Sequence, residues 1–408
     1  MSGRRSYRVL MIAPTYYFSD SGCHVRILEE CRALRSAGCE VLVATYAGGR
    51  DIRGIPTVRT LGLPFVSRTK VGSSRRKPIL DVMLLLRSAA AAVRFRPDLI
   101  HCHIHEGALI GRLLSYLLRV PMVFDFQGSM TNEMIDHGFL SREGALYGPL
   151  YLIESWLNRH SDIVVTSSLH GQCLLRQRFQ CSPTRVRAVV DAVNTDVFRA
   201  RWDVPEAERL ALRARLGIPA NAPLVVYLGL LAEYQGVSHL LQAAARVART
   251  HPETHFLLMG YPGQARYRAL AESIGLADRV TFPGRIPYEH APAYLAIGDI
   301  AAAPKLSATE GNGKLLNYMS VGLPVAAFDT PVNRELLGEL GVYAGAGNVD
   351  LLADVLRSLL DDPGRGLELG RALRQRAIER FSWTSTAPRL LDAYDAVTSS
   401  SYRHPPCR

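Results

Sequence analysis

The chain has 408 residues, 48% of them hydrophobic and 21% charged, with a formal net charge of +11. That balance excludes a disordered chain, and the length gives room for a buried core in each of two or three domains. No run is long and apolar enough to span a bilayer: residues 78–93 are interrupted by Asp81 and Arg87, and the apolar run 9–13 is too short for a signal-peptide core, so a cytoplasmic protein is expected.

Residues 7–14 (YRVLMIAP) read as a buried first strand, and the loop TYYFSDSGCH leads into an amphipathic helix over 24–37 with Gly38 as its C-cap. Residues 40–45 form a second strand. The first hundred residues carry 17 Lys and Arg against 7 Asp and Glu, so the basic excess of the chain lies there. Within them, Arg68, Lys70, Arg75, Arg76 and Lys77 precede the apolar helix over 78–93, a combination that suits anionic lipid headgroups. A solvated loop before a core helix is the alternative. Nucleic acid is disfavoured, because no aromatic residues are interleaved with these cations.

A strand over 98–105 (DLIHCHIH) follows, then a helix over 108–118, a strand over 121–126, a long helix over 146–159, and strands over 163–166 and 186–190. Strands alternating with helices predict a parallel sheet. After a polar helical stretch over 201–222 the alternation restarts. Strands over 223–228, 254–259, 279–282, 300–303 and 324–328 are separated by helices over 238–249, 265–274, 291–297 and 314–321; helices over 349–360, 366–380 and 384–397 close the chain. Two α/β units imply two sheets with a cleft between them, and ligands of such sheets sit at the carboxyl ends of the strands. Seven cysteines, with no CxxC pair and no zinc spacing, read as reduced and structural.

Residues 301–324 (AAAPKLSATEGNGKLLNYMSVGLP) are strand, loop and helix in that order. Gly311 and Gly313 let backbone approach a ligand, and the start of the following helix offers unpaired N–H groups and a partial positive charge of roughly half a unit. Lys305 and Lys314 flank this phosphate seat, and Glu310 offers an acceptor suited to a sugar hydroxyl. A glycine-rich turn capping an ordinary helix is the alternative.

The order and spacing of SGCHVRILEECRALRSAGCEVLV, RPDLIHCHIHEGALIG, VNTDVF, YLGLLAEYQGVSHLLQAAA, GLADRVTFPGRI and the stretch through GLPV resemble the retaining family 4 glycosyltransferases. The resemblance covers nearly the whole chain. It implies the GT-B fold, two Rossmann-like domains facing across a cleft: residues 1–200 on the acceptor side, 201–383 binding a nucleotide sugar, and 384–408 a C-terminal helix and tail packing back toward the first domain.

The resemblance implies an α/β hexosyltransferase moving a sugar from a nucleoside diphosphate to a hydroxyl of a saccharide or lipid-linked glycan, as in polysaccharide biosynthesis. It assigns Glu310 to the donor sugar. A second glutamate of the family's pair is replaced by Asn317, which can hydrogen-bond a ribose hydroxyl without charge. The family's arginine and lysine after the first strand of this domain are absent from Gly229–Gly236, where Leu230 and Gln235 stand instead, so Lys305 and Lys314, with the backbone of Asn312 to Lys314, are expected on the diphosphate. Gly22 matches the glycine loop approaching the phosphates from the other domain, an ordinary turn being the alternative.

Gly284, Arg285 and Ile286 match the segment near the nucleotide base, although Arg285 reads equally as a surface residue. His101 is expected in the core, with His103 and His105 facing the cleft for the acceptor. Gln127 stands where many relatives have histidine, and is assigned acceptor or donor-sugar contact. Enzymes of this kind are thought to react on one face of the sugar, the leaving phosphate taking the acceptor's proton, so positioning and charge stabilisation carry catalysis. No cofactor and no metal are expected, since no Asp-x-Asp lies at a strand end. A catalytically silent scaffold and a nucleotide-sugar epimerase are the other readings.

Overall fold

A computed structural model describes residues 5–20, 22–62, 77–136, 138–307 and 311–399. Among them, seven parallel strands form the first sheet: β1 (Arg8–Ala13), β2 (Glu40–Thr45), β3 (Thr57–Arg59), β4 (Leu99–His103), β5 (Met122–Phe126), β6 (Ile163–Thr166) and β7 (Val186–Ala188). They run in the order β3-β2-β1-β4-β5-β6-β7. The second sheet has β8 (Leu224–Leu228), β9 (His255–Met259), β10 (Val280–Gly284), β11 (Ile300–Ala303), β12 (Val325–Phe328) and β13 (Val342–Ala344), in the order β10-β9-β8-β11-β12-β13. The central strands are short and buried at every residue in β4, β5, β11 and β12, as expected where helices cover both faces; β11 and β12 are wholly apolar, whereas β4 and β5 also bury His101, His103 and Asp125.

The helices of the first unit are α1 (Gly22–Ser36), α2 (Lys77–Phe95), α3 (Ile104–Leu118), α4 (Met130–Asp136), α5 (Tyr147–His160) and α6 (Leu169–Gln177). Those of the second are α7 (Glu206–Arg215), α8 (Val237–Val247), α9 (Gln264–Ser273), α10 (Ala291–Ala296), α11 (Lys314–Val321), α12 (Pro331–Leu337), α13 (Val349–Asp361) and α14 (Pro363–Phe381). The chain then crosses back. Val193 N donates to Phe381 O at 2.8 Å, and α15 (Trp383–Thr398) packs on α1, with Tyr394 edge-on to Tyr7 at 6.0 Å and the Tyr7 hydroxyl bonded to Asp395. The expected return of the C-terminal helix is therefore observed.

In each sheet the strand order reverses once, between β1 and β4 and between β8 and β11, and a crevice opens at the carboxyl ends of such pairs. The loop holding Lys305 and Lys314 follows β11, Gly229 follows β8, and α1 follows β1, so all three meet at these reversals.

At β4 the structure departs from the sequence reading in a way that bears on the site. The strand expected over 98–105 stops at His103, because Ile104 turns left-handed (φ 53°) and α3 starts there. His105 consequently sits on a helix, not on the strand face it was expected to share with His103. No helix among the described residues is long and apolar enough to cross a membrane.

Candidate active site

The loop after β11 is held from inside. The Lys305 side chain is buried, and Nζ donates to Gly311 O at 2.7 Å, closing the loop on itself. Asn312 is buried too: its Nδ2 donates to Asn333 Oδ1 at 2.8 Å, and Asn333 Nδ2 donates to Phe328 O at 2.7 Å. The amide oxygen of Asn312 has no hydrogen-bond partner among the described residues. Gly313 precedes α11 with no side-chain cap. Asn317, three residues into α11, is partly exposed. Glu310, the expected sugar contact, lies outside the described residues, as do Arg68, Lys70, Arg75 and Arg76.

Lys314 opens α11 and reaches across to β8. Its Nζ donates to Gln235 Oε1 at 2.7 Å and to the Tyr227 hydroxyl at 3.3 Å, and stands 4.4 Å above the Tyr227 ring. A Cβ placed on Gly229 would lie 2.8 Å from this ammonium. The cation of α11 thus occupies the turn between Gly229 and Gln235, the segment whose own sequence lacks one.

That turn has little freedom. Gly236 is left-handed (φ 75°), and a Cβ there would come within 1.8 Å of Pro304 O, one residue before Lys305. Gly236→Ala is expected to cost about 1–3 kcal/mol of unfolding free energy, read from denaturant midpoints, because strain and overlap with backbone act together.

Opposite this loop, the first unit presents a buried arginine that the sequence reading did not single out. Arg26, on α1, is 6% exposed. Its Nη2 donates to Asp125 Oδ1 at 2.9 Å, Nη1 donates to Asp191 Oδ1 at 2.7 Å, and Nη2 lies 3.1 Å from Glu30 Oε1. Burial raises the Asp125 carboxyl, but Arg26 and then His103 overcome it and hold it well below the carboxylate range. Burial raises Asp191 and Glu30 despite the same arginine. Asp191 touches the donor-side loop: a Cβ on Gly311 would stand 3.1 Å from its Oδ2. The signals were an Arg and Glu four apart on an apolar helix face, and one acid inside the apolar run VVDAV.

The histidines are corrected in part. His101 is a core residue as expected, its Nδ1 sharing a 2.6 Å hydrogen bond with the Tyr394 hydroxyl. His103 and His105 do not face an open cleft. His103 is fully buried, stacked on His101, and donates from Nδ1 to Asp125 Oδ2 at 3.0 Å. His105 turns with α3 between the rings of Phe124 and Phe126, with Glu154 3.6 Å from its Nε2. Burial lowers its pKa. Gln127 remains partly exposed and donates to Asp125 Oδ2 at 2.7 Å. Glu30, His101, His103 and Asp125 bring ligand atoms within 4.8 Å of one another, but the Arg26 guanidinium already sits beside both carboxylates and supplies the local positive charge.

The expected base-side segment is engaged across the cleft. Arg285 Nε donates to Asp20 Oδ2 at 3.0 Å, and Tyr288 N and Arg50 donate to Asp20 Oδ1. Burial works against the Asp20 carboxylate, yet these bonds keep it below its ordinary range. Gly284 is left-handed (φ 86°) and Ile286 belongs to the core. Gly22 begins α1 with open space where a Cβ would point.

Residues 208–380 match the family model described as glycosyl transferases group 1, and residues 21–192 match the glycosyl transferase 4-like domain. D-inositol 3-phosphate glycosyltransferase of Rhodococcus jostii is 32% identical over 330 residues, covering 76% of this chain and 69% of that protein. The chain belongs to the group 1 glycosyltransferases. Sucrose-phosphate synthase of Thermosynechococcus elongatus superposes with a TM-score of 0.80 at 21% identity over 96% of this chain and 99% of that one. Anabaena HepE, solved with UDP-glucose, superposes at 0.78 with 17% identity over 96% and 100%. The two parallel sheets are those of the GT-B fold.

Proposed function

We propose that this glycosyltransferase moves a hexosyl group from a nucleoside diphosphate to a hydroxyl of a saccharide or lipid-linked glycan, keeping the anomeric configuration. The observation that carries this reading is the Lys314 ammonium, 2.7 Å from Gln235 and above the turn at Gly229. A diphosphate leaving beside that turn gains positive charge there. In this reading Lys305 and Lys314 take the diphosphate, with the backbone at Gly311, Asn312 and Gly313; Glu310 takes the sugar and Asn317 the ribose. Gly284, Arg285 and Ile286 lie toward the base, and Gly22 approaches the phosphates from the other unit. Gln127 meets the acceptor or donor sugar, and His103 acts through Asp125 as a positioning residue.

Residues 1–200 serve the acceptor and 201–383 the donor, with 384–408 as the returning helix and tail. The leaving phosphate oxygen receives the acceptor's proton, and neither a metal nor another cofactor takes part, so chelators should leave turnover unchanged. The protein works from the cytoplasmic side, at a membrane surface, in polysaccharide assembly. A fold kept without turnover was suggested by the missing cations at Leu230 and Gln235; a lysine bonded to Gln235 weighs against it.

Thermal-shift measurements against a panel of nucleotide sugars test the donor assignment. One donor at 100 times its dissociation constant adds about 2.7 kcal/mol. Melting unchanged by every nucleotide and nucleotide sugar would refute it.

A further inference from the structure

Helices α2, α3 and α5 lie side by side on one face of the first sheet, opposite α1 and α15. Each buries one stripe against the strands, as Leu80, Leu84 and Ala92 do on α2. Each also carries a second apolar stripe outward. On α2 the outward residues Ile79, Val82, Leu86 and Val93 follow helical spacing; Leu86 is 66% exposed. Tyr116 on α3 is 76% exposed and Leu152 on α5 is 66%, with Trp156 one turn beyond Leu152. Of the 21 large hydrophobics that are exposed among the described residues, eleven lie on these three helices, whereas residues 201–399 hold five, with no more than two on any one element. A helix apolar on both sides buries its second side against something else, and contiguous apolar surface of this kind marks an interface.

The charges around the face identify its partner. Arg87 and Arg94 on α2, Arg119 at the end of α3 and Arg159 on α5 are exposed. The acids of the same helices point elsewhere: Asp81 accepts from the Tyr46 hydroxyl, Glu106 pairs with Lys77, and Glu154 is wholly buried, accepting from Thr131. Between α2 and the edge of the sheet lies a cavity of about 360 Å³, apolar in its walls, with Arg87 and Arg94 at its rim and Arg8 beside them, paired with Glu40 Oε2 at 3.2 Å. Apolar side chains, interfacial Tyr and Trp, and a rim of arginines complement an anionic bilayer.

We infer that the α2–α3–α5 face is a docking surface for anionic phospholipid membrane, with the arginine-rimmed cavity receiving a lipid phosphate. The inference deepens the membrane-side location proposed above and gives it a surface. It is independent of the donor assignment, since no residue of this face belongs to the donor loop.

Flotation with vesicles of equimolar phosphatidylglycerol and phosphatidylcholine tests it on the full chain. Wild-type protein is expected to float with these vesicles at low salt. The triple variant Leu86→Glu, Tyr116→Glu, Leu152→Glu is expected to lose more than about tenfold in partitioning, since three apolar side chains that would enter the bilayer become charged. Its thermal unfolding and its response to nucleotide sugars should stay those of the wild type, which separates failure of docking from failure of the donor site. The second variant, Arg87→Gln with Arg94→Gln, is expected to bind the anionic vesicles at least about threefold more weakly and to lose salt dependence. Absence of wild-type flotation, undiminished flotation of the triple variant, or a wild-type dimer in ultracentrifugation that the triple variant abolishes would each overturn the inference.

Discussion

Alanine at both Lys305 and Lys314 is expected to lower kcat/KM for sugar transfer by at least ~10³-fold, about 4 kcal/mol of barrier, while the protein stays folded. A diphosphate leaving the anomeric carbon develops negative charge, and among the residues placed around the donor loop these two lysines supply the cations. Lys314 alone is the cleaner probe, because it is partly exposed and bonds the side chains of Gln235 and Tyr227. Its loss should cost roughly 10²–10³-fold. Lys305 is buried and closes the loop on Gly311 O, so its alanine variant removes both charge and loop geometry. The two losses should not add, since both act on one diphosphate. Steady-state rates beside circular dichroism of the same samples decide it: a folded double variant with unchanged turnover removes the lysines from the chemistry.

Arg26→Met is expected to destabilise the chain by about 3–5 kcal/mol, the largest stability effect foreseen at a single residue. Methionine replaces the bulk of the side chain but leaves Asp125, Asp191 and Glu30 facing one another without their shared cation. Arg26→Lys keeps a charge but not the fork that meets Asp125 and Asp191 together, so an intermediate loss is expected. Asp191 also abuts Gly311, so both variants should weaken donor binding. Denaturant unfolding reads the effect; a loss below about 1 kcal/mol for Arg26→Met would show that the buried cluster neutralises itself by taking up protons.

The fold was legible because its signals are local. Apolar runs such as IVVT and IAAA match β6 and β11 residue for residue, and the helix expected over 314–321 is α11. Short edge elements such as β3 and β13, and the helices α4 and α12, carry too few residues for a period to show. The strand end at His103 was missed because a left-handed Ile104 leaves no mark in composition, and β-branched residues rarely adopt that conformation. The site was legible where a motif lies in one stretch, as from Lys305 to Asn317. It was not legible where partners come from distant segments: Arg26, Asp125 and Asp191 are joined only by the sheet. Likewise the position of Lys314 over Gly229 depends on β8 and β11 being neighbours.

The proposed reaction of this cleft is transfer of a sugar from a nucleoside diphosphate with its anomeric configuration retained. Proton NMR of the reaction, started with the nucleotide sugar that stabilises the protein most and an offered hydroxyl as acceptor, measures it directly. Release of nucleoside diphosphate is expected together with a first-formed product of the same anomeric configuration as the donor. A first-formed product of opposite configuration, or no diphosphate release from any stabilising donor, would contradict it.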